Sequence, residues 1–346
     1  MEQIRFAVVG CGEIGIQTAA GIATAPHAVI SVAMDSNHSL ADDLARRYGG
    51  RVANNYDEVL VSPDVDTVYI ATPHFLHLPM AIAAAQAGKH VLLEKPIAIN
   101  VRDAKRIIHE CELSGVRLGI AYHAQVDAVS QRVRKLIADG AIGRIAGIRY
   151  AALADKPESY WHGGYSGRAA SDWRVYKEKA GGGILIMNLI HNFNTLRFVT
   201  GLEVVRAYGA YGTYATPVEV EDLVFATLHY DNGAIGAIEA GSAIRGGAAG
   251  ADDDRIYGTR GQVVIGSERA RIYSLDGAEG IPASEWTEIR VEQPPTRQRM
   301  VEGFALALLD GRTPPVTGYD GLKALEIVEA VYRSRDTGAP VALPLE

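Results

Sequence analysis

Residues 10–15 read Gly-Cys-Gly-Glu-Ile-Gly, set between the apolar run of residues 4–9 and a helical pattern over residues 13–24. A GxGxxG alone is a weak pattern. Placed after a strand and at the mouth of a helix, it constrains the chain strongly. Apart from Arg5, the apolar run lacks polar alternation, as a strand buried on both faces requires. Gly10 then makes the tight turn, Gly12 lets the backbone approach a pyrophosphate, and Gly15 permits close helix–strand packing. Glu13 and Ile14 open the helix, whose first N–H groups attract phosphate. Asp35 closes a second strand twenty residues past Gly15, where a carboxylate accepts hydrogen bonds from ribose hydroxyls. That carboxylate repels a 2′-phosphate, so NAD is favoured; Ser36 and Asn37 leave NADP open.

The alternation continues through strands at 66–71, 90–93 and 117–122 and helices at 39–48, 75–87 and 101–113. Strands alternating with helices predict right-handed crossovers and a parallel sheet. After residue 125 the pattern changes to longer strand runs at 145–152, 203–213, 220–230, 234–243, 255–265 and 286–291, with a hairpin signal at Asp231-Asn232-Gly233. The expected fold is an α/β Rossmann domain over residues 1–122 and an α+β domain over 123–346. The second domain is built on a large, mainly antiparallel, open-faced sheet. Its closing helix, 319–335, is amphipathic and suited to packing back toward the first domain.

The strands of the second half carry apolar residues in both phases, Leu223 and Phe225 against Val224, Ala226 and Leu228. One face suits helices and the other a second subunit, so a homodimer or homotetramer through the sheet is expected. The net charge of −7 offers no footprint for nucleic acid or an anionic membrane. No apolar run reaches the ~18–20 residues of a membrane span. Cys11 and Cys111 make neither a disulfide framework nor a metal cluster, and the first residues carry no basic leader; a cytoplasmic location is the expectation.

Ligands of open α/β sheets lie beyond the carboxyl ends of the strands. Two loops occupy that position: Ala71-Thr72-Pro73-His74, and Glu94-Lys95-Pro96. His74 and His77, at i and i+3, have no carboxylate or cysteine at helical spacing to complete a metal site; they suit the lining of a cofactor cleft, and no metal is expected. From the residues alone, Lys95 reads equally as a solvated strand-end lysine or as a lysine turned into the cleft.

GCGEIG, then VYIATPHFLHLPMAIAAAQAGKHVLLEKPIAI, then AGGGILIMNLIH, resemble the Gfo/Idh/MocA oxidoreductases, and the match extends through IADGAIGRIAGIRY, IYGTRGQVVI and YDGLKALEIVEAVYRS. The resemblance implies that Lys95 touches both the nicotinamide ribose and the substrate hydroxyl. It implies that His191 takes the hydroxyl proton as hydride passes to the cofactor. The family pattern GGGxLxDxxxH places Asp four residues before the histidine; here that position is Met187, beside Asn188. On a helix His191 is expected to share a polar stripe with Asn188, Asn194 and Thr195.

Residues 155–179 hold Tyr160, Trp161, Tyr165, Trp173 and Tyr176 among Arg168 and Arg174. Aromatic faces beside hydrogen-bonding groups suit the C–H faces and hydroxyls of a sugar, though a surface loop packed on its domain fits equally. Tyr160, Trp161, Arg168, Trp173 and Arg174 join His123, Met187 and Asn188 as candidate substrate contacts. The implied function is NAD(P)-dependent hydride transfer at a secondary alcohol or ketone of a sugar, polyol or glycoside. Redox-neutral glycoside cleavage through transient oxidation, and a non-enzymatic dinucleotide sensor, are the alternatives.

Overall fold

The computed structural model describes residues 2–250, 253–266 and 269–346. They form two compact units, the first from Met1–Val126, Pro157–Gly181 and Pro294–Leu322, the second from Asp127–Lys156, Gly182–Gln293 and Lys323–Glu346.

The first unit opens with β1 (Ile4–Val9), α1 (Glu13–Thr24), β2 (Ala28–Met34), α2 (His38–Tyr48), β3 (Arg51–Val52) and α3 (Tyr56–Leu60). It continues with β4 (Thr67–Ile70), α4 (His77–Gln86), β5 (His90–Leu93), α5 (Val101–Leu113) and β6 (Leu118–Ile120). The six strands are parallel in the order β3-β2-β1-β4-β5-β6. The order reverses direction beside β1, which places the glycine loop at the switch point. Asn37, Asn55 and Asn100 cap α2, α3 and α5 by accepting from backbone N–H groups of the first turn. α1 has no such cap: Gly12 precedes it, so the first turn keeps its donors for another partner.

Two later segments belong to this unit, although residue 122 is the boundary that composition suggests. The chain crosses through α6 (Ala128–Ala138) and β7 (Ile145–Leu153), returns for α7 (Ser159–Gly163) and α8 (Lys177–Ala180), and leaves again. It then makes α9 (Ile190–Thr200), β8 (Val204–Gly212), β9 (Leu223–Tyr230), β10 (Ile235–Gly241), β11 (Asp254–Gly258), β12 (Gly261–Ile265), β13 (Ala270–Ser274) and β14 (Glu285–Ile289). α10 (Thr296–Leu309) comes back to the first unit; α11 (Gly318–Thr337) begins there and ends in the second, before β15 (Val341–Ala342). Met300, Val301, Phe304 and Ala305 of α10 join Phe6, Ile22, Leu44 and Leu92 in one buried cluster. That apolar face, buried against α1 and the sheet, is a physical reason for the return.

The second unit is a nine-stranded sheet in the order β14-β13-β12-β11-β7-β10-β9-β8-β15. β7 and β10 run parallel, and every other neighbouring pair among the described residues is antiparallel. Alternation resolves the two apolar phases: Val224, Ala226 and Leu228 are buried, whereas Phe225, Ile235 and Tyr208 are exposed.

Candidate active site

Gly10 adopts φ +91°, and a Cβ there would lie 2.6 Å from the Ala71 carbonyl oxygen, so the turn admits no side chain. The Asp35 carboxylate locks the loop that follows: Oδ2 accepts from the Cys11 N–H at 2.7 Å and Oδ1 from the Asn37 N–H at 2.8 Å. Ser36 is exposed beside it.

The segment 157–181 lies on this loop. Arg168 Nε donates to the Cys11 carbonyl at 3.0 Å, and Nη1 to Asp43 of α2 at 2.8 Å. The Tyr165 N–H donates to the Glu13 carboxylate at 3.0 Å. Arg168 Nη2 is buried and has no partner among the described residues. Arg168, read from sequence as a substrate contact, sits against the glycine loop. Tyr160 and Trp161 are buried, and the Arg174 guanidinium lies 5.1 Å over Tyr160 and 4.5 Å over Trp173. Trp173 in turn packs 4.4 Å from His74, whose Nδ1 bonds to the Ala180 carbonyl at 2.8 Å. Burial drives the His74 ring well below its ordinary pKa, so it stays neutral.

His77 staples the two loops at the strand ends, with Nδ1 at 2.7 Å from the Pro96 carbonyl and Nε2 at 3.1 Å from that of Thr72. Burial lowers the ring's pKa, and the neutral ring has one N–H to donate to one of these two carbonyls, in the loop that holds Pro73 or in the loop that holds Lys95. The Glu94 carboxylate is buried; it accepts from the Tyr69 hydroxyl at 2.6 Å and from Arg297 of α10 at 3.3 Å. Burial alone would raise the Glu94 carboxyl, but Arg297, Lys95 and Tyr69 outweigh it and hold it below the ordinary range. Burial lowers the Lys95 ammonium from 10.5 to about 8; Glu94 pulls it back up, while Arg174 and Arg297 push it down. His123, after β6, is pushed to about 4 by burial and by Arg297. A half-buried lysine whose ammonium is lowered toward neutrality next to a fixed carboxylate can hold a proton on an oxygen atom or release it.

In the second unit Gly182 and Gly183 have a packing cause. A Cβ on Gly183 would fall 1.9 Å from the Glu221 carbonyl oxygen, and one on Gly182 would meet the Tyr332 hydroxyl at 2.0 Å. The buried Glu221 carboxylate accepts from the N–H groups of Gly183 at 2.6 Å and Leu185 at 3.0 Å, and from Tyr332 at 2.8 Å. It thus caps a π-turn, Leu185–Leu189, that leads into α9. Such turns are rare and collect at functional sites.

Met187 is buried, whereas Asn188, His191, Asn192 and Thr195 form a half-buried stripe. Asn194 departs from the expected stripe: it is 1% exposed, and Asn192 takes its place. At 3.6 residues per turn Asn192 lies roughly 40° from Asn188 and Asn194 roughly 120°. Asn188 Oδ1 accepts from the buried Lys156 ammonium at 2.5 Å. Asn192 Nδ2 donates to the buried Asp254 carboxylate at 2.8 Å, a group that burial raises from 3.8 to about 7.

Comparison with known proteins matches residues 4–122 to the family described as "Oxidoreductase family, NAD-binding Rossmann fold" and residues 130–264 to the "GFO/IDH/MocA C-terminal domain". The chain belongs to this family. The 1,5-anhydro-D-fructose reductase of Ensifer adhaerens is 26% identical over 96% of this chain and 97% of its own length. The scyllo-inositol 2-dehydrogenase (NAD(+)) of Bacillus subtilis is 27% identical over 99% of this chain and 97% of its own. The crystal structure of aldose–aldose oxidoreductase from Caulobacter crescentus, complexed with glycerol, superposes with a TM-score of 0.84 at 26% identity, covering 99% of this chain and all of that one.

This GFO/IDH/MocA member is therefore an NAD(P)-dependent oxidoreductase with an NAD-binding Rossmann domain. The residues present fit the dinucleotide: a side-chain-free turn at Gly10, an uncapped α1, and the Asp35 carboxylate at the end of β2. Among the described residues no helix is long and apolar enough to cross a membrane. Sequence reasoning missed Tyr69, Arg297, Lys156 and Asp254. A tyrosine inside an apolar strand signals a hydroxyl in need of a partner. Arg297 gave no signal, lying 203 residues from Glu94.

Proposed function

We propose that this oxidoreductase moves a hydride between the nicotinamide and a secondary alcohol or ketone carbon of a sugar, polyol or glycoside. The place of Lys95, half-buried just past β5 and next to the buried Glu94 carboxylate, is the observation that carries the reading, and its ammonium, brought to about 8, agrees with it. The bound cofactor supplies the hydride acceptor or donor. Lys95 holds the reacting oxygen by a charge-assisted hydrogen bond, which strengthens as negative charge develops there. His191 takes the hydroxyl proton in oxidation and returns it in reduction. Gly10, Gly12, Glu13, Ile14, Gly15 and Asp35 hold the dinucleotide with Ser36, Ala71, Thr72, Pro73, His74, His77 and Glu94. Arg168, placed on the loop by its own hydrogen bonds, is assigned to the same group.

The activities that name the Ensifer and Bacillus relatives support a carbohydrate-like substrate, and the exposed Phe225, Ile235 and Tyr208 support a homo-oligomer through the open sheet face. The test is a panel of aldoses, inositols, anhydrosugars and uronates with NAD(+) or NADP(+), following reduced cofactor. Stoichiometric NADH with one member supports the reading. Turnover without NADH accumulation would replace it with the redox-neutral reaction, and an inert panel would overturn it.

A further inference from the structure

An ammonium has three donors and no acceptor, so the atom facing Lys156 Nζ must be the amide oxygen of Asn188. The flip of this amide is thus decided by chemistry. Its Nδ2 points the other way and has no partner among the described residues, on a side chain that is only partly buried. Lys156 is itself 6% exposed, and its backbone N–H is tied to the Ser242 carbonyl at 2.9 Å, so the ammonium enters from a fixed strand end. The second amide of the stripe has the opposite arrangement: Asn192 gives its nitrogen to Asp254 and shows its oxygen. His191 stands between a donor one turn before it and an acceptor beside it.

We propose that Lys156 is a positioning residue that locks Asn188 with its amide nitrogen outward, making Asn188 a hydrogen-bond donor to a substrate oxygen one turn from His191. The inference rests on the hydride-transfer reading above and adds a specificity rule to it. The site favours substrates with an acceptor oxygen next to the reacting carbon: a ring ether, a carbonyl or a carboxylate.

The experiment takes the best substrate of the panel, at pH 8, and measures kcat and KM separately for Asn188→Ala, Lys156→Met, their double variant, Lys156→Arg and Asn188→Asp. Each of the first two is expected to raise KM about three- to tenfold with kcat changed less than about threefold, the size of one hydrogen bond. The double variant is expected to be no worse than the poorer single one, because both remove the same interaction. Lys156→Arg should restore most of the affinity. Asn188→Asp keeps the lysine contact but turns an acceptor outward, so its KM should rise at least as far as that of Asn188→Ala. Multiplying effects in the double variant, or a KM in Asn188→Asp equal to or below the wild type, overturns the proposal while leaving the hydride-transfer reading intact. A wild type inert with the whole panel overturns both, and is told apart because the unmutated protein is silent. If Lys156→Met fails to fold, the two Asn188 variants still decide the polarity.

Discussion

The lysine just past β5 adjoins a buried network: Glu94, with Tyr69 and Arg297 on its carboxylate, and in the same unit a buried ring at His74 and a half-buried one at His123. The histidine of α9 lies on a half-buried stripe between two amides, each held by one buried charge. The first arrangement spends its polar groups on the tuning of one ammonium. The second spends them on facing specific atoms outward. The contrast divides the labour expected of the enzyme: the groups around Lys95 set its proton affinity, and the amides flanking His191 read the substrate while His191 itself carries the proton.

The largest effect that would break this division is at His191. His191→Ala removes the proposed proton acceptor and is expected to cost about 10²–10⁴ in kcat, with NADH affinity within about twofold of wild type by fluorescence titration. An unchanged kcat would show that the stripe only reads substrate.

Lys95→Met comes next. Loss of the donor to the reacting oxygen is expected to cost about 10²–10³ in kcat. The same change should stabilise the fold at pH 7. A lysine lowered from 10.5 to about 8 binds fewer protons in the folded than in the unfolded state between those pH values. Stability therefore rises with pH through that window, and the cost of burying the charge is fully present below it. The fall corresponds to something on the order of 3 kcal/mol, an upper figure for the gain because Glu94 loses a partner. A Tm at pH 7 below that of wild type would mean that the network needs its cation.

Glu94→Gln sharpens the same contrast with a smaller effect, about tenfold in kcat/KM. In the wild type kcat/KM is expected to fall as pH rises through about 8, where Lys95 loses its proton. Glu94 raises the Lys95 pKa, so removing its charge should move that limb to lower pH. A limb that stays at about 8 would assign it to another group.

Legibility in the sequence followed distance along the chain. The glycine loop, Asp35 and the parallel sheet were readable because turn chemistry, strand burial and helix start lie within a few residues of each other. Lys95 was ambiguous as a strand-end lysine, and its context came from the resemblance of the surrounding block to a family. What decides its chemistry, Arg297 on α10, is brought in by the apolar face of a helix that the local pattern could not place. The aromatic segment illustrates the converse. Its residue types suit a sugar, yet Arg168 and Tyr165 are engaged by Cys11, Asp43 and Glu13, because unsatisfied backbone and carboxylate groups around the glycine loop compete for them. The Asn188 flip was unreadable because Lys156 stands 32 residues away.

Arg168→Ala carries the smallest expected effect and tests that last assignment. Arg168 holds the Cys11 carbonyl and Asp43 by two hydrogen bonds, so its removal is expected to loosen the loop proposed to receive the pyrophosphate without touching Lys95 or His191. Charge-assisted bonds of this kind are modest in net terms, and a loss of about three- to tenfold in cofactor affinity is expected with kcat at saturating cofactor nearly unchanged. NADH and NADPH should weaken by the same factor, because the arginine acts through the loop backbone that serves both. Fluorescence titration of the two cofactors decides the point. A loss confined to NADPH would assign the buried Nη2 to the 2′-phosphate and move Arg168 from the loop to the ribose end of the site.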